Sequence, residues 1–217
     1  MKKKLIITIL VLLMFFSAFI HSPLTPSEDD TVYAQSKTHI VQPGDSMWKI
    51  AVRYQTGLSE IIKANPHIKN PSLIYPGQRI TIPNAAPLKS IEDEVVRLTN
   101  LERTKRGLQP LSVNWEVARV ARIKSQDMIN NHYFSHNSPV YGSPFKMLES
   151  YGLRFSAAAE NIAYGQRSAQ EVVNTWMNSA GHRANILSAN VTQIGVGVAK
   201  KSNGTLYFTQ IFIKPAW

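Results

Sequence analysis

The stretch from Thr38 to Pro83 admits few folds, because turn and cap signals cut it into four short elements that must close on one another. Thr38-His39-Ile40-Val41-Gln42 is a β-type run. Pro43-Gly44-Asp45-Ser46 is a turn in which either Asp45 or Ser46 can cap the helix that follows. That helix carries Met47, Trp48, Ile50 and Ala51, with Tyr54 close behind. A second short helix, Ser59 to Ala64, buries Ile61 and Ile62. It stops at Asn65-Pro66, since proline disfavours helical geometry in the residue before it. Tyr75-Pro76-Gly77-Gln78 then turns the chain into the strand Arg79 to Pro83. The order is strand, helix, helix, strand, and no second copy of the pattern follows.

Residues 84–89 read as a short linker, and residues 90–217 as a second domain. Ser90 is an N-cap candidate with Glu92, Asp93 and Glu94 in the first turn, and Ile91, Val95, Leu98 and Leu101 lie near one helical face. Gly107 and Pro110 end that helix. Asn114 caps a helix carrying Val117, Val120, Ala121, Met128 and Ile129. Ser143-Pro144 opens another, and Ser168-Ala169-Gln170-Glu171 is a capping box for a helix through Trp176 that ends at Gly181. Gln193 to Lys200 and Leu206 to Lys214 read as strands joined at Asn203-Gly204. The fold class is therefore α+β: helices flanking a small, largely antiparallel sheet.

The 217 residues suffice for one or two domains of about 100–200 residues each. With no cysteine, neither a disulfide nor a thiolate metal site is available. The formal net charge of +10 favours polyanionic partners: nucleic acid, an anionic membrane or an anionic cell wall. The basic residues are scattered and no nucleic-acid motif is present, so nucleic acid is set aside. Lysines at 2–4 precede an apolar run from Leu5 to Ile20, the pattern of a secretory signal, with Val32-Tyr33-Ala34 as a cleavage site. An uncleaved membrane anchor is the alternative. Removing 1–34 takes away Lys2, Lys3 and Lys4 together with Glu28, Asp29 and Asp30, so the mature chain stays equally basic. Secretion makes the wall and its anionic polymers the better partner.

Two resemblances sharpen these expectations. Val41 to Ser46, Trp48-Lys49-Ile50-Ala51, Ile62 to Pro66 and Ile74 to Gln78 leading into Ile80 to Pro83 resemble a LysM domain across 38–83. The resemblance implies binding of polymers containing N-acetylglucosamine, such as peptidoglycan or chitin. It places the sugar between Gly44-Asp45-Ser46-Met47 and Ser72-Leu73-Ile74. Phe134-Ser135-His136, Glu160-Asn161-Ile162-Ala163, Trp176, Gly181-His182-Arg183-Ala184-Asn185-Ile186-Leu187 and Ile194-Gly195-Val196-Gly197 resemble the CAP superfamily in its cysteine-free bacterial form, over roughly the last 125 residues. This implies an α-β-α sandwich with a cleft over the sheet.

The CAP cleft commonly carries two histidines and two glutamates. His136 and His182 match the histidines and Glu160 the first glutamate, while Ser179 stands where the second would be. Two imidazoles and one carboxylate are a set that could hold Zn²⁺ with water in an open position. Each residue alone is more often structural. Glu160 could equally accept hydrogen bonds from Arg183 or backbone donors, Trp176 reads as core, Asn161 and Asn185 as loop braces, and His39 and His132 as surface residues. For catalysis the candidates are His136, Glu160 and His182. A triad with Ser135 or Ser179 can be drawn, but no nucleophile-elbow motif supports it.

The expected protein is a secreted, wall-associated binder, tethered by its LysM domain and presenting a CAP cleft to a ligand. The rivals are a hydrolase of wall or peptide material, metal-assisted with Glu160 as base, and a spore-coat or envelope component. The lysine-rich start and the lack of cysteine suit a Gram-positive bacterium.

Overall fold

The computed structural model describes residues 37–83 and 88–216. The expected signal and its cleavage site at Ala34 lie outside them, as do linker residues 84–87. The first domain runs β1 (Lys37–Ile40), α1 (Met47–Arg53), α2 (Leu58–Ala64) and β2 (Arg79–Ile82). The strands pair antiparallel, Lys37 opposite Ile82 and Ile40 opposite Arg79. A lone two-stranded sheet is marginal in water, and here the two helices cover one of its faces. Met47, Ile50, Ala51, Ile61, Ile80 and Ile82 form the resulting core.

Ser46, not Asp45, caps α1, its hydroxyl accepting from Lys49 N at 3.2 Å. Asp45 instead accepts from Gln42 N at 2.8 Å and Arg53 at 3.2 Å, and meets His39 Nε2 at 2.8 Å. His39, expected at the surface, is only 6 % exposed. It is the one residue of β1 turned inward, where Tyr54 and Asp45 hold both ring nitrogens. Trp48, read with the apolar residues of α1, is 63 % exposed: the inward stripe is Met47, Ile50 and Ala51, and Trp48 lies one step off it.

Asn65 does more than end α2. Its buried side chain donates to Ile61 O and Thr81 O and accepts from Thr81 N, at 2.7–2.8 Å, stitching helix end to strand. Asn65→Ala orphans these backbone groups and is expected to lower this domain's stability by about 2 kcal/mol. Urea unfolding followed by Trp48 fluorescence checks it, and a loss below about 0.5 kcal/mol would mean water replaces the amide freely.

The second domain runs α3 (Lys89–Thr104), β3 (Ser112–Val113), α4 (Trp115–Asn130), α5 (Pro144–Ser150), β4 (Phe155–Tyr164), α6 (Ala169–Asn178), α7 (Ala180–Ile186), β5 (Gln193–Lys200) and β6 (Leu206–Pro215). The sheet order is β3-β5-β6-β4, with β3 parallel to β5 and the other pairings antiparallel. Val95, Leu98, Val172, Val173, Trp176 and Ile186 pack on one face with Phe208 and Phe212. Val117, Val120, Ala121, Met147 and Leu148 pack on the other with Ile211 and Ile213. The result is the expected α-β-α sandwich.

Asn114, Ser143 and Ser168 cap their helices as read. Ser90 does not: α3 starts at Lys89, and Leu101 on its far side is exposed. Gly181 does not end α6. Ser179 stops that helix and at once opens α7, which contains both Gly181 and His182. Beyond β3, the open edge of β5 is covered by Glu92, which accepts from Val198 N at 3.1 Å and from Arg122 at 2.7–2.9 Å. This capping leaves less edge for intermolecular pairing. Arg119 reaches the first domain, donating to both Glu60 oxygens at 2.9 Å.

Candidate functional site

The two loops expected to hold sugar are the turn after β1 and the segment before β2. Gly44 has φ +84°, a conformation that glycine adopts without strain, and nothing lies within 4 Å of where its Cβ would stand. Of the other expected contacts, Ser72 and Leu73 are exposed, while Asp45, Ser46 and Ile74 are half-buried. Met47 is in the core, so its side chain does not line a groove. Asn70 shapes the second loop, its side chain accepting from Ser72 N and its carbonyl from Leu73 N. The exposed rings of Trp48 and Tyr75 flank the two loops in sequence and were not among the expected contacts. Their exposure follows only from the packing of α1 and the turn before β2.

In the second domain the structure brings His136 and Glu160 together. Glu160 sits mid-strand in β4 and is 7 % exposed, and His136 arrives on the loop after α4, its Nδ1 2.8 Å from Glu160 Oε1. Glu160 Oε2 is buried without a partner, and so is Nδ1 of His182 on α7. Burial pushes the Glu160 carboxyl above the ordinary range, against the opposing pull of His136 and of the Lys124 charge. Burial, helped by the His136 charge, pushes the His182 ring below 6.5. Arg183, expected to reach Glu160, donates instead to Met177 O at 2.9 Å.

A buried polar frame fixes these groups. Asn185 donates to Glu160 O at 3.2 Å and Asn161 Oδ1 at 2.9 Å, and Asn161 donates to His182 O at 3.2 Å and Gln210 Oε1 at 3.0 Å. The asparagines, expected to brace loops, instead brace the strand β4 against the helix α7. Sequence reasoning missed Lys124, which is fully buried in α4 and donates to Tyr133 OH, Ser135 O and His136 O at 2.8–3.0 Å. Asp127, one helical turn on, accepts from Tyr133 OH, Ser138 Oγ and Asn131 Nδ2. The available signal was Lys124 lying in the i, i+4 row between the apolar Val120 and Met128.

Among the described residues, no three histidine, cysteine or carboxylate side chains are placed to hold one metal ion. Glu160 meets His136 through Oε1 and keeps Oε2 without a partner.

The His182 environment gives stability a pH dependence. Its folded value lies below that of the unfolded chain, so between the two the unfolded chain alone carries the proton, and stability falls as pH drops through that window. Glu160 acts in the opposite sense. Its folded value lies above 4.5, so the folded form binds the proton first and gains stability as pH falls. In thermal melts from about pH 7.5 to about pH 5, His182→Gln is expected to lose less stability than the wild type; equal losses would mean the imidazole is freely solvated.

The chain belongs to the cysteine-rich secretory protein (CAP) family, whose profile matches residues 96–212, more than half of its length. Residues 39–83 match the LysM domain. Uncharacterized protein YkwD of Bacillus subtilis is 51 % identical over 126 residues, 58 % of this chain and 48 % of that protein. SpoIVD-associated factor A of the same organism is 50 % identical over 48 residues, 22 % of this chain and 12 % of that protein. The chain thus spans about half the length of YkwD or less of these curated relatives. A solved extracellular protein with an SCP domain from Bacillus anthracis superposes with a TM-score of 0.54 at 35 % identity, covering 64 % of this chain and 47 % of that one.

Proposed function

We propose that this protein is a secreted, cell-wall-associated binder. Its LysM domain holds N-acetylglucosamine polymers such as peptidoglycan, its basic charge adds retention on anionic wall polymers, and its CAP cleft takes a polar ligand. The observation that carries this is the LysM module itself, closed on its own core, with Gly44, Ser72 and Leu73 left facing solvent. The likeness to an extracellular SCP-domain protein supports the location. The match to the spore coat assembly protein ExsA of Bacillus cereus, 46 % identical over 48 residues, supports a spore envelope as a second setting for the same binding.

The test is retention of the full chain on peptidoglycan stripped of teichoic acid, with the supernatant assayed for released sugars and peptides, with and without Zn²⁺. Retention without release is expected, and Leu73→Asp is expected to weaken it about tenfold, or about 1.4 kcal/mol. Release that requires Zn²⁺ and is abolished by His182→Ala would make the protein a wall hydrolase instead. No retention would remove the glycan from the proposal.

A further inference from the structure

The aromatic residues beside the CAP cleft form a strip that neither the histidines nor the glutamate explain. Side chains alternate along a strand, so Glu160, Ile162 and Tyr164 share one face of β4, with Tyr164 about 13 Å beyond Glu160. The loop after α4 follows that face: His136 meets Glu160, and Phe134 meets Tyr164 edge-to-face at 4.7 Å. Tyr164 in turn stacks on Tyr207, its partner across β6, at 5.4 Å. Phe134 is 45 % and Tyr164 51 % exposed, so the rings are open to solvent rather than filling a core.

We infer that this strip and the adjoining cleft form a saccharide subsite, through which the CAP domain takes a second stretch of the glycan held by the LysM domain. The inference rests on the glycan binding proposed above and names the ligand class of the cleft. Two independent features point to sugar. First, the apolar C–H face of a pyranose ring lies flat on an exposed aromatic ring, and a strip of such rings takes successive sugars. Second, the buried side-chain polar atoms without a partner among the described residues are Glu160 Oε2, His182 Nδ1 and Gln166 Oε1. They belong to the middle of β4, to α7 and to the turn that follows β4. Two of them are acceptors, and an N-acetylamino sugar supplies both hydroxyl and amide donors.

An extended peptide is disfavoured at the same place. A peptide strand would add to the outer edge of β4. The carbonyls of Glu160 and Ile162 there already accept from Asn185 at 3.2 Å and Trp176 Nε1 at 3.3 Å. Joining two sites on one polymer makes the second contact intramolecular and raises retention without strengthening either site.

The test compares full-length wild type, the double variant Phe134→Ala/Tyr164→Ala, and Tyr164→Phe on two supports: peptidoglycan, and its glycan strands freed of stem peptides. Thermal melts confirm that each variant is folded. The double variant is expected to bind both supports at least about tenfold more weakly, while Tyr164→Phe, which keeps the ring, binds as the wild type does. A parallel titration with the tetrasaccharide of N-acetylglucosamine should shift the ring resonances of His136 and His182 in the wild type but not in the double variant. Unchanged retention of the double variant overturns the subsite and leaves the LysM function standing. A loss confined to the peptide-bearing support overturns it in favour of stem-peptide binding. If the wild type fails to bind either support, the proposed function falls, and the titration decides the subsite alone: no shift of either histidine sinks it.

Discussion

Replacing Gly197 by alanine is expected to lower the stability of the CAP domain by about 3 kcal/mol or more. The strand β5 lies against the backbone of α4, not its side chains. A Cβ on Gly197 would stand 2.0 Å from Arg122 N and 2.2 Å from Ala121 C, and one on Gly195 would stand 2.2 Å from Ala118 N. Side chains can rotate away from such a clash, but a helix backbone cannot. Relief therefore requires lifting α4 as a body. That would break the bonds of Ser125 Oγ with Gly197 O and Thr209 Oγ1, at 2.8–2.9 Å, and strain the Glu92–Arg122 pair. Chemical unfolding gives the number. Gly181→Ala is the matched control: this glycine is helical, with nothing within 4 Å of its would-be Cβ, so the same added methyl should be neutral or stabilise by up to about 1 kcal/mol. If Gly197→Ala behaved like the control, α4 and β5 would not be packed as closely as described.

Lys124→Met is expected to cost about as much, roughly 3 kcal/mol or more, and to loosen the cleft as well. Methionine matches the lysine stem in length, so the loss isolates the ammonium. Burial pulls the Lys124 value down, and the charges of Glu160 and Asp127 oppose that pull. Without the ammonium, the carbonyls of Ser135 and His136 lose their donor, and the Tyr133 ring loses the cation 4.8 Å from its centre. Glu160 also loses one of the groups that lower its value, so its carboxyl should titrate higher still. Unfolding measures the first effect, and the His136 ring resonance the second. A variant of wild-type stability with an unmoved His136 would show that the loop holds the histidine without help.

Much of the frame was legible because it depends on local chemistry. The caps Ser46, Asn114, Ser143 and Ser168 act through hydrogen bonds within one turn. The alternation of β5 and the hairpin at Gly204, with φ +87°, needed no distant partner to recognise. The pairing of His136 with Glu160 was legible only through motif order, since a loop and a strand far apart in the chain meet there.

β4 could not be read as a strand from Phe155-Ser156-Ala157-Ala158-Ala159, because alanine favours helix over strand and no alternation marks a face. Its strand state comes from β6, which pairs with it from Pro215 to Tyr207. Tyr164 gains its place in the aromatic strip from the same pairing. Lys124 and His39 were hidden for a related reason. Whether a polar side chain is buried depends on which acceptors the rest of the chain brings, and the carbonyls around Lys124 and the carboxylate beside His39 come from separate loops. The sequence alone determined the LysM and CAP resemblances, the element order of the first domain and most helix starts. Tertiary structure decided which residues pair, which charges are buried and which aromatics stay exposed, because burial and pairing are set by neighbours distant in the chain.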